Sequence, residues 1–175
     1  MLESYFFSLS ATRLSFSLKH SGGRNFLGRI CVYHRGGATR KRCSTLDTLR
    51  RVQSFGMVCR VFRQSLRSSF LALVLYRNGL ISFISATESA LLGATIYSGF
   101  LPSNITPRLV PAIFSAGSAL PLEVINLFNL VHNVELFEAS GFKLARAAGA
   151  SAVLSNRKGG RCYLKLASGL SLIHI

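Results

Sequence analysis

Cys31, His34, Cys43 and Cys59 are of the types that ligate metals or supply nucleophiles. They are separated by two, eight and fifteen residues, which makes no pair of ligand knuckles. On an alternating strand Cys31 and His34 would also face opposite ways. Neither an orienting acid nor an oxyanion motif accompanies a cysteine–histidine pair. Asp47 and the five glutamates are scattered, so paired carboxylate chemistry has no basis. His132 falls on the apolar side of its segment and reads as a packed histidine. These four residues are therefore expected to be packing residues, with no metal, no cofactor and no catalytic centre.

The side chains with a chemical purpose are arginines. Gly22-Gly23-Arg24-Asn25 and the run from His34 to Arg42, which holds Arg35, Arg40, Lys41 and Arg42, combine glycine with guanidinium groups. Glycine lets a backbone approach a phosphate closely, and arginine offers a planar fork for two oxygens. Residues 24–67 carry eleven positive side chains, ten of them arginine, against Asp47 alone. Residues 108–175 carry seven positive and three negative. The whole chain of 175 residues has 21 Lys+Arg, 6 Asp+Glu and a net charge of +15. Self-repulsion on that scale calls for a polyanion, either nucleic acid or an anionic membrane. The first basic segment should carry most of the phosphate contacts.

At 49% hydrophobic residues the chain can build a core, which excludes wholesale disorder. Four cysteines, the last at Cys162, are too few and too irregular for a disulfide framework, and a reducing compartment is expected. The uncharged run from Ser89 to Pro107 is just long enough to span a bilayer. Its two glycines, two prolines and several Ser, Thr and Asn make it a poor lipid-facing helix, and no membrane span is expected. Residues 1–20, rich in Ser, Leu and Phe with Arg13 and Lys19, are read as an arm or organelle-targeting segment.

The elements that must position the arginines read as short strands. Arg29–Arg35, Met57–Phe62, Phe70–Tyr76, Leu80–Ile84, Leu130–Leu136 and Arg161–Leu166 are apolar or alternating. Asn78-Gly79 predicts a hairpin with positive φ at both turn positions. Gly159-Gly160 and Ser168-Gly169 supply two more turns, the second leading into a strand over Leu170–Ile175. This is an all-β pattern typical of small barrels. The proline-containing stretch from Pro102 to Pro121 divides the chain into residues 21–106 and 107–175.

Ser21-Gly-Gly-Arg-Asn-Phe-Leu-Gly-Arg-Ile-Cys-Val-Tyr-His-Arg-Gly-Gly37 and Leu66-Arg-Ser-Ser-Phe-Leu-Ala-Leu-Val-Leu-Tyr76 resemble blocks of the universal large-subunit ribosomal protein L-two family. Ala119-Leu-Pro-Leu122, Val131-His-Asn-Val-Glu135 and Leu144-Ala-Arg-Ala-Ala-Gly149 follow in the family's order and approximate spacing. The resemblance covers residues 21–172. It implies an OB-fold barrel over 21–106 and an SH3-like barrel over 107–175. It also implies binding to large-subunit rRNA, a part in subunit assembly near the peptidyl-transferase centre, and neighbouring ribosomal proteins as partners.

Position by position, the family's RNA-contacting arginines fall on Arg67 and Arg146. Arg24, Arg29 and Arg35 match further basic positions, and Arg40, Lys41, Arg42 and Lys143 complete the expected RNA-binding set. Three departures stand out. The Gly- and His-containing stretch usual after the first block is Gly36-Gly-Ala-Thr-Arg40 here, and Gln64-Ser65-Leu66 replaces Asp-Pro-Asn. The family's long C-terminal extension has no counterpart after Ile175, so the open edge of the second barrel is expected to be covered by a second polypeptide that supplies the extension or by a neighbouring protein. The Phe- and Ser-rich divergence resembles a mitochondrial form. Two alternatives are a free OB-fold protein stacking single strands on Tyr33, Phe55 and Phe62, and a basic peripheral membrane protein.

Overall fold

The computed structural model describes residues 14–36, 39–100 and 110–174. Most of the expected arm, the middle of Gly36–Arg40 and the start of the Pro102–Pro121 stretch lie outside them. The chain divides into two compact units, residues 1–45 and 46–175.

In the first unit a short antiparallel ladder joins β1 (Ser15–Ser17) to β2 (Arg42–Ser44), with Phe16 opposite Cys43. Leu18 N to Lys41 O (3.0 Å) and Thr45 N to Leu14 O (3.0 Å) extend it at both ends. The ladder closes the base of a long basic loop.

The second unit is built on two four-stranded antiparallel sheets. The first has the order β5-β4-β3-β6, with β3 Ser54–Arg63, β4 Phe70–Tyr76, β5 Ile81–Ser85 and β6 Thr95–Ser98. Strand β4 is central and buried on both faces, so it reads as a continuous apolar run rather than an alternation. Val58, Ala72, Val74, Tyr76, Ile84 and Ile96 form one core cluster. Each buried valine or isoleucine of the cluster is worth about 1.5–3 kcal/mol. A bulge at Cys59 shifts the register between Val58 and Arg60, which is why β3 alternates only in part.

A helical turn, α1 (Val110–Ile113), precedes the second sheet. That sheet has the order β12-β11-β10-β7, with β7 Leu130–Val131, β10 Ala152–Lys158, β11 Arg161–Leu166 and β12 Ser171–His174. A two-stranded pair, β8 (Val134–Glu135) and β9 (Phe142–Leu144), completes the set. Val134, Leu154, Cys162 and Leu164 make its core, covered in part by Leu122, Ile125, Leu144 and Leu172. The architecture is all-β, an OB-fold sheet followed by an SH3-like one, and neither sheet closes on itself among the described residues. Among those residues no helix is long and apolar enough to cross a membrane.

The turns follow their residues. Lys158 pairs with Arg161 across Gly159 and Gly160, whose φ of 56° and 72° give the two-residue hairpin its twist. The Asn78-Gly79 expectation is half right. The hairpin forms, but only Gly79 has positive φ (83°), and Tyr76 N bonds Leu80 O at 2.8 Å. This is a three-residue loop ending in a glycine bulge. Ser168-Gly169 repeats it, with Leu166 N to Leu170 O at 2.9 Å and Gly169 at φ 83°.

Two expected strands are overturned. Arg29–Arg35 is a looped segment in which Ile30 bridges Arg24 and Arg35 N reaches Val32 O. Ile30, Val32 and Tyr33 are all exposed, so this apolar run has no inner face to bury and closes on itself through local turns. Leu130–Leu136 is cut in two at His132-Asn133. Asn133 takes φ 54°, and the halves β7 and β8 join different sheets.

Candidate nucleic-acid interface

The basic loop of the first unit is held by its own backbone. Gly23 O accepts from both Cys31 N (2.8 Å) and Val32 N (3.1 Å). Gly23 sits at φ 74°, and a Cβ there would collide with the Val32 carbonyl, so the approach requires glycine. Arg24, Arg29, Arg35, Arg40 and Arg42 are exposed around this frame, and Lys41 is half-buried. The expectation that the cysteines and His34 are packing residues fails at Cys31 and His34, which are exposed because their segment is a loop. Cys43 and Cys59 are half-buried, and burial pushes the Cys59 thiol up.

In the second unit a second basic surface comes from two loops far apart in sequence. The turn between β3 and β4 carries Gln64, Ser65, Leu66 and Arg67, closed by Arg67 N to Gln64 O at 3.2 Å. The turn after β9 carries Arg146. Ala148 N donates to Ser68 Oγ at 3.3 Å, which stitches the two turns together. Lys143 and Arg146 are exposed, and the Arg146 guanidinium lies 5.6 Å from the centre of the Phe142 ring. Arg67 is not a freely exposed loop arginine. It is half-buried, and its Nε is buried without a hydrogen-bond partner among the described residues.

Other arginines are consumed by the fold. Arg50 donates to Ser98 Oγ (2.8 Å), Gly117 O (3.2 Å) and Tyr97 O (3.3 Å), tying β6 to the segment that pairs with it. Arg157 donates to the carbonyls of Leu122 (2.8 Å) and Ile125 (2.6 Å). Sequence reasoning could not find these partners, because every one is a backbone or hydroxyl oxygen remote in the chain. Of the three aromatic platforms weighed from sequence, Phe55 packs against Tyr97 (4.9 Å) and Phe62 against Phe83 (5.2 Å). Tyr33 remains 85% exposed.

His132 is half-buried, as expected of a packed histidine. Burial, reinforced by the Arg50 charge, holds it below the ordinary value of 6.5. The unfolded chain therefore takes up a proton below about pH 6.5 that the folded chain refuses. The stability this group contributes is present above that pH and lost as pH falls through it. A melting-temperature profile should show the loss, and His132→Gln should flatten that acid limb. An unchanged limb in the variant would remove His132 from the account.

The family model described as "Ribosomal Proteins L2, RNA binding N-terminal domain" matches residues 11–98. The chain is 34% identical over 158 residues to "Large ribosomal subunit protein uL2" of Orientia tsutsugamushi (strain Ikeda), covering 90% of this chain and 54% of that protein. It is 38% identical over 157 residues to the protein of the same name from Wolbachia sp. subsp. Brugia malayi (strain TRS), covering 89% and 54%. The corresponding figures for Akkermansia muciniphila are 35% over 153 residues, 87% and 51%. The chain spans about half the length of the curated relatives it matches. The family model reaches across half of the chain. This chain belongs to the ribosomal protein L2 family.

Proposed function

We propose that the chain is a structural, non-catalytic constituent of a mitochondrial large ribosomal subunit. It binds large-subunit rRNA and supports assembly near the peptidyl-transferase centre. The observation that carries the RNA-binding reading is the stitched pair of turns at Ser68 and Ala148, which holds Arg67 and Arg146 as parts of one basic surface. Family membership makes rRNA the polyanion that the charge of +15 requires.

In this reading residues 21–106 form the OB-fold RNA-binding domain and 107–175 the SH3-like domain, after an arm at 1–20. Arg24, Arg29, Arg35, Arg40, Lys41, Arg42, Arg67, Lys143 and Arg146 take phosphates. Strand β12 lies at the edge of its sheet with Ile173 exposed. An edge left unpaired among the described residues invites association, and a neighbouring ribosomal polypeptide covers it. The mitochondrial assignment rests on the Phe- and Ser-rich composition.

Sedimentation of the native protein tests the reading: it should travel with large-subunit particles from mitochondria. In vitro, affinity for large-subunit rRNA should fall steeply with salt, by roughly 0.7–0.9 logarithmic units per logarithmic unit of salt for each phosphate neutralised. A salt-insensitive affinity, or a native protein found free or in the membrane pellet, would overturn it.

A further inference from the structure

The most exposed aromatic side chain among the described residues stands at the apex of the basic loop in the first unit. Phe26 is 95% exposed, with Leu27 beside it at 65%. A phenyl ring offers a large apolar surface, and one left in water contributes nothing to folding.

The apex that presents it is nevertheless well ordered by hydrogen bonds. Asn25 Oδ1 accepts from Leu27 N (3.0 Å) and Arg29 N (2.9 Å), while Asn25 O accepts from Gly28 N (3.0 Å). Asn25 N donates to Arg29 O at 2.9 Å, and Arg24 bridges Ile30 below. Gly28 takes φ 81° with open space around it, which lets the chain reverse within five residues. The tip is thus fixed before anything binds, so docking it costs little ordering entropy.

Charge identifies what docks. Arg24 and Arg29, both exposed, stand at the two paired feet of the tip, on either side of Phe26 in the chain, and Arg35 follows in the next turn. No Asp or Glu occurs between Glu3 and Asp47. A protein surface meeting this tip would have to present both an apolar socket and several acids. An unstacked nucleobase meets the ring face to face while its own flanking phosphates meet the two arginines. We infer that Phe26 is a stacking platform for an unpaired base of the RNA, with Arg24 and Arg29 holding the phosphates on either side. This rests on the rRNA-binding reading and names a contact that reading did not include.

The test uses the full chain and an in vitro transcript of large-subunit rRNA. Because stacking is sequence-tolerant and worth a few kcal/mol per base, Phe26→Ala should weaken binding by roughly 5- to 150-fold. The salt slope should stay unchanged, since no phosphate contact is lost. Phe26→Trp should keep the affinity, and Phe26→Leu should lose it as alanine does. Arg24→Ala should instead lower the slope by about one phosphate. Irradiation of the wild-type complex at short ultraviolet wavelengths should yield an RNA adduct at Phe26. If Phe26→Leu binds like the wild type, the tip is an apolar wedge and not a stacking platform. If Phe26→Ala does, the tip faces a protein or lipid; either result overturns the inference and leaves the rRNA reading intact. Failure of the wild-type chain to bind rRNA would overturn both.

Discussion

Replacing Arg50 with methionine is expected to destabilise the folded chain by about 2–4 kcal/mol while leaving rRNA affinity per folded molecule unchanged. Hydrogen bonds to charged groups contribute about 1.5–3 kcal/mol each, but those of Arg50 share acceptors and will not add. Its Nε meets Ser98 Oγ, whose side chain is wholly buried and also meets Tyr76 Oη at 3.1 Å. Both terminal nitrogens meet Gly117 O, at 3.2 and 3.3 Å, and one also meets Tyr97 O. Methionine fills the volume but removes all of these bonds: Gly117 O loses its donors, while Tyr97 O keeps Ala119 N and Ser98 Oγ keeps Tyr76 Oη. Lysine should rescue little, because a single ammonium cannot span a planar fork of three acceptors.

The backbone has been bent to place this group. Arg50 sits at φ 47°, held by its N–H on Asp47 Oδ1 at 2.9 Å. A non-glycine residue there costs about 1 kcal/mol or more, which the side-chain bonds offset. Urea denaturation reads the stability, and a binding isotherm on the folded fraction reads the affinity. Equal stability with weakened binding would make Arg50 a phosphate ligand instead. The same variant should also ease the charge on His132 and raise its pKa toward the ordinary value.

Arg50 shows where the sequence stops being informative. Within the basic segment it is one arginine among ten, and only the tertiary arrangement separates it from Arg24 or Arg67. Elements were legible where burial left a local trace. Phe70–Tyr76 is apolar on both faces, and Arg161–Leu166 alternates because Cys162 and Leu164 are buried while Arg161, Tyr163 and Lys165 face the other way. Strand β10 left no such trace. Its second half, Ser155-Asn156-Arg157-Lys158, is polar, and only the long ladder to β11 makes it a strand. Strand β6 was hidden inside the uncharged run weighed as a membrane span. The segment from Arg29 to Arg35 failed in the opposite direction, since β-branched and aromatic residues suggested a strand with no sheet to join. For the interface, charge and resemblance pointed to the arginines. The bond between Ala148 N and Ser68 Oγ, which brings two of their loops together, has no counterpart in local pattern.

Converting Arg67 and Arg146 to alanine should have the largest effect on function. Each charge-assisted contact at an interface is worth about 1–3 kcal/mol, or roughly 5- to 150-fold in affinity, and the double variant should approach the product if the two hold separate phosphates. Its salt slope should fall by about two phosphates. The two residues should differ sharply in what they do to the free protein. Arg146 lies over Phe142 at the surface, so its loss costs the fold little. Arg67 keeps Nε buried with no partner among the described residues, a desolvation cost of about 1–3 kcal/mol for the free chain. An incoming phosphate oxygen would relieve that cost, so the strain favours the bound state. Arg67→Met, which retains the apolar stem, should therefore leave the free chain as stable as the wild type or more so, and still bind rRNA more weakly. Marked destabilisation by Arg67→Met would instead identify Arg67 as a structural residue like Arg50 and remove it from the interface.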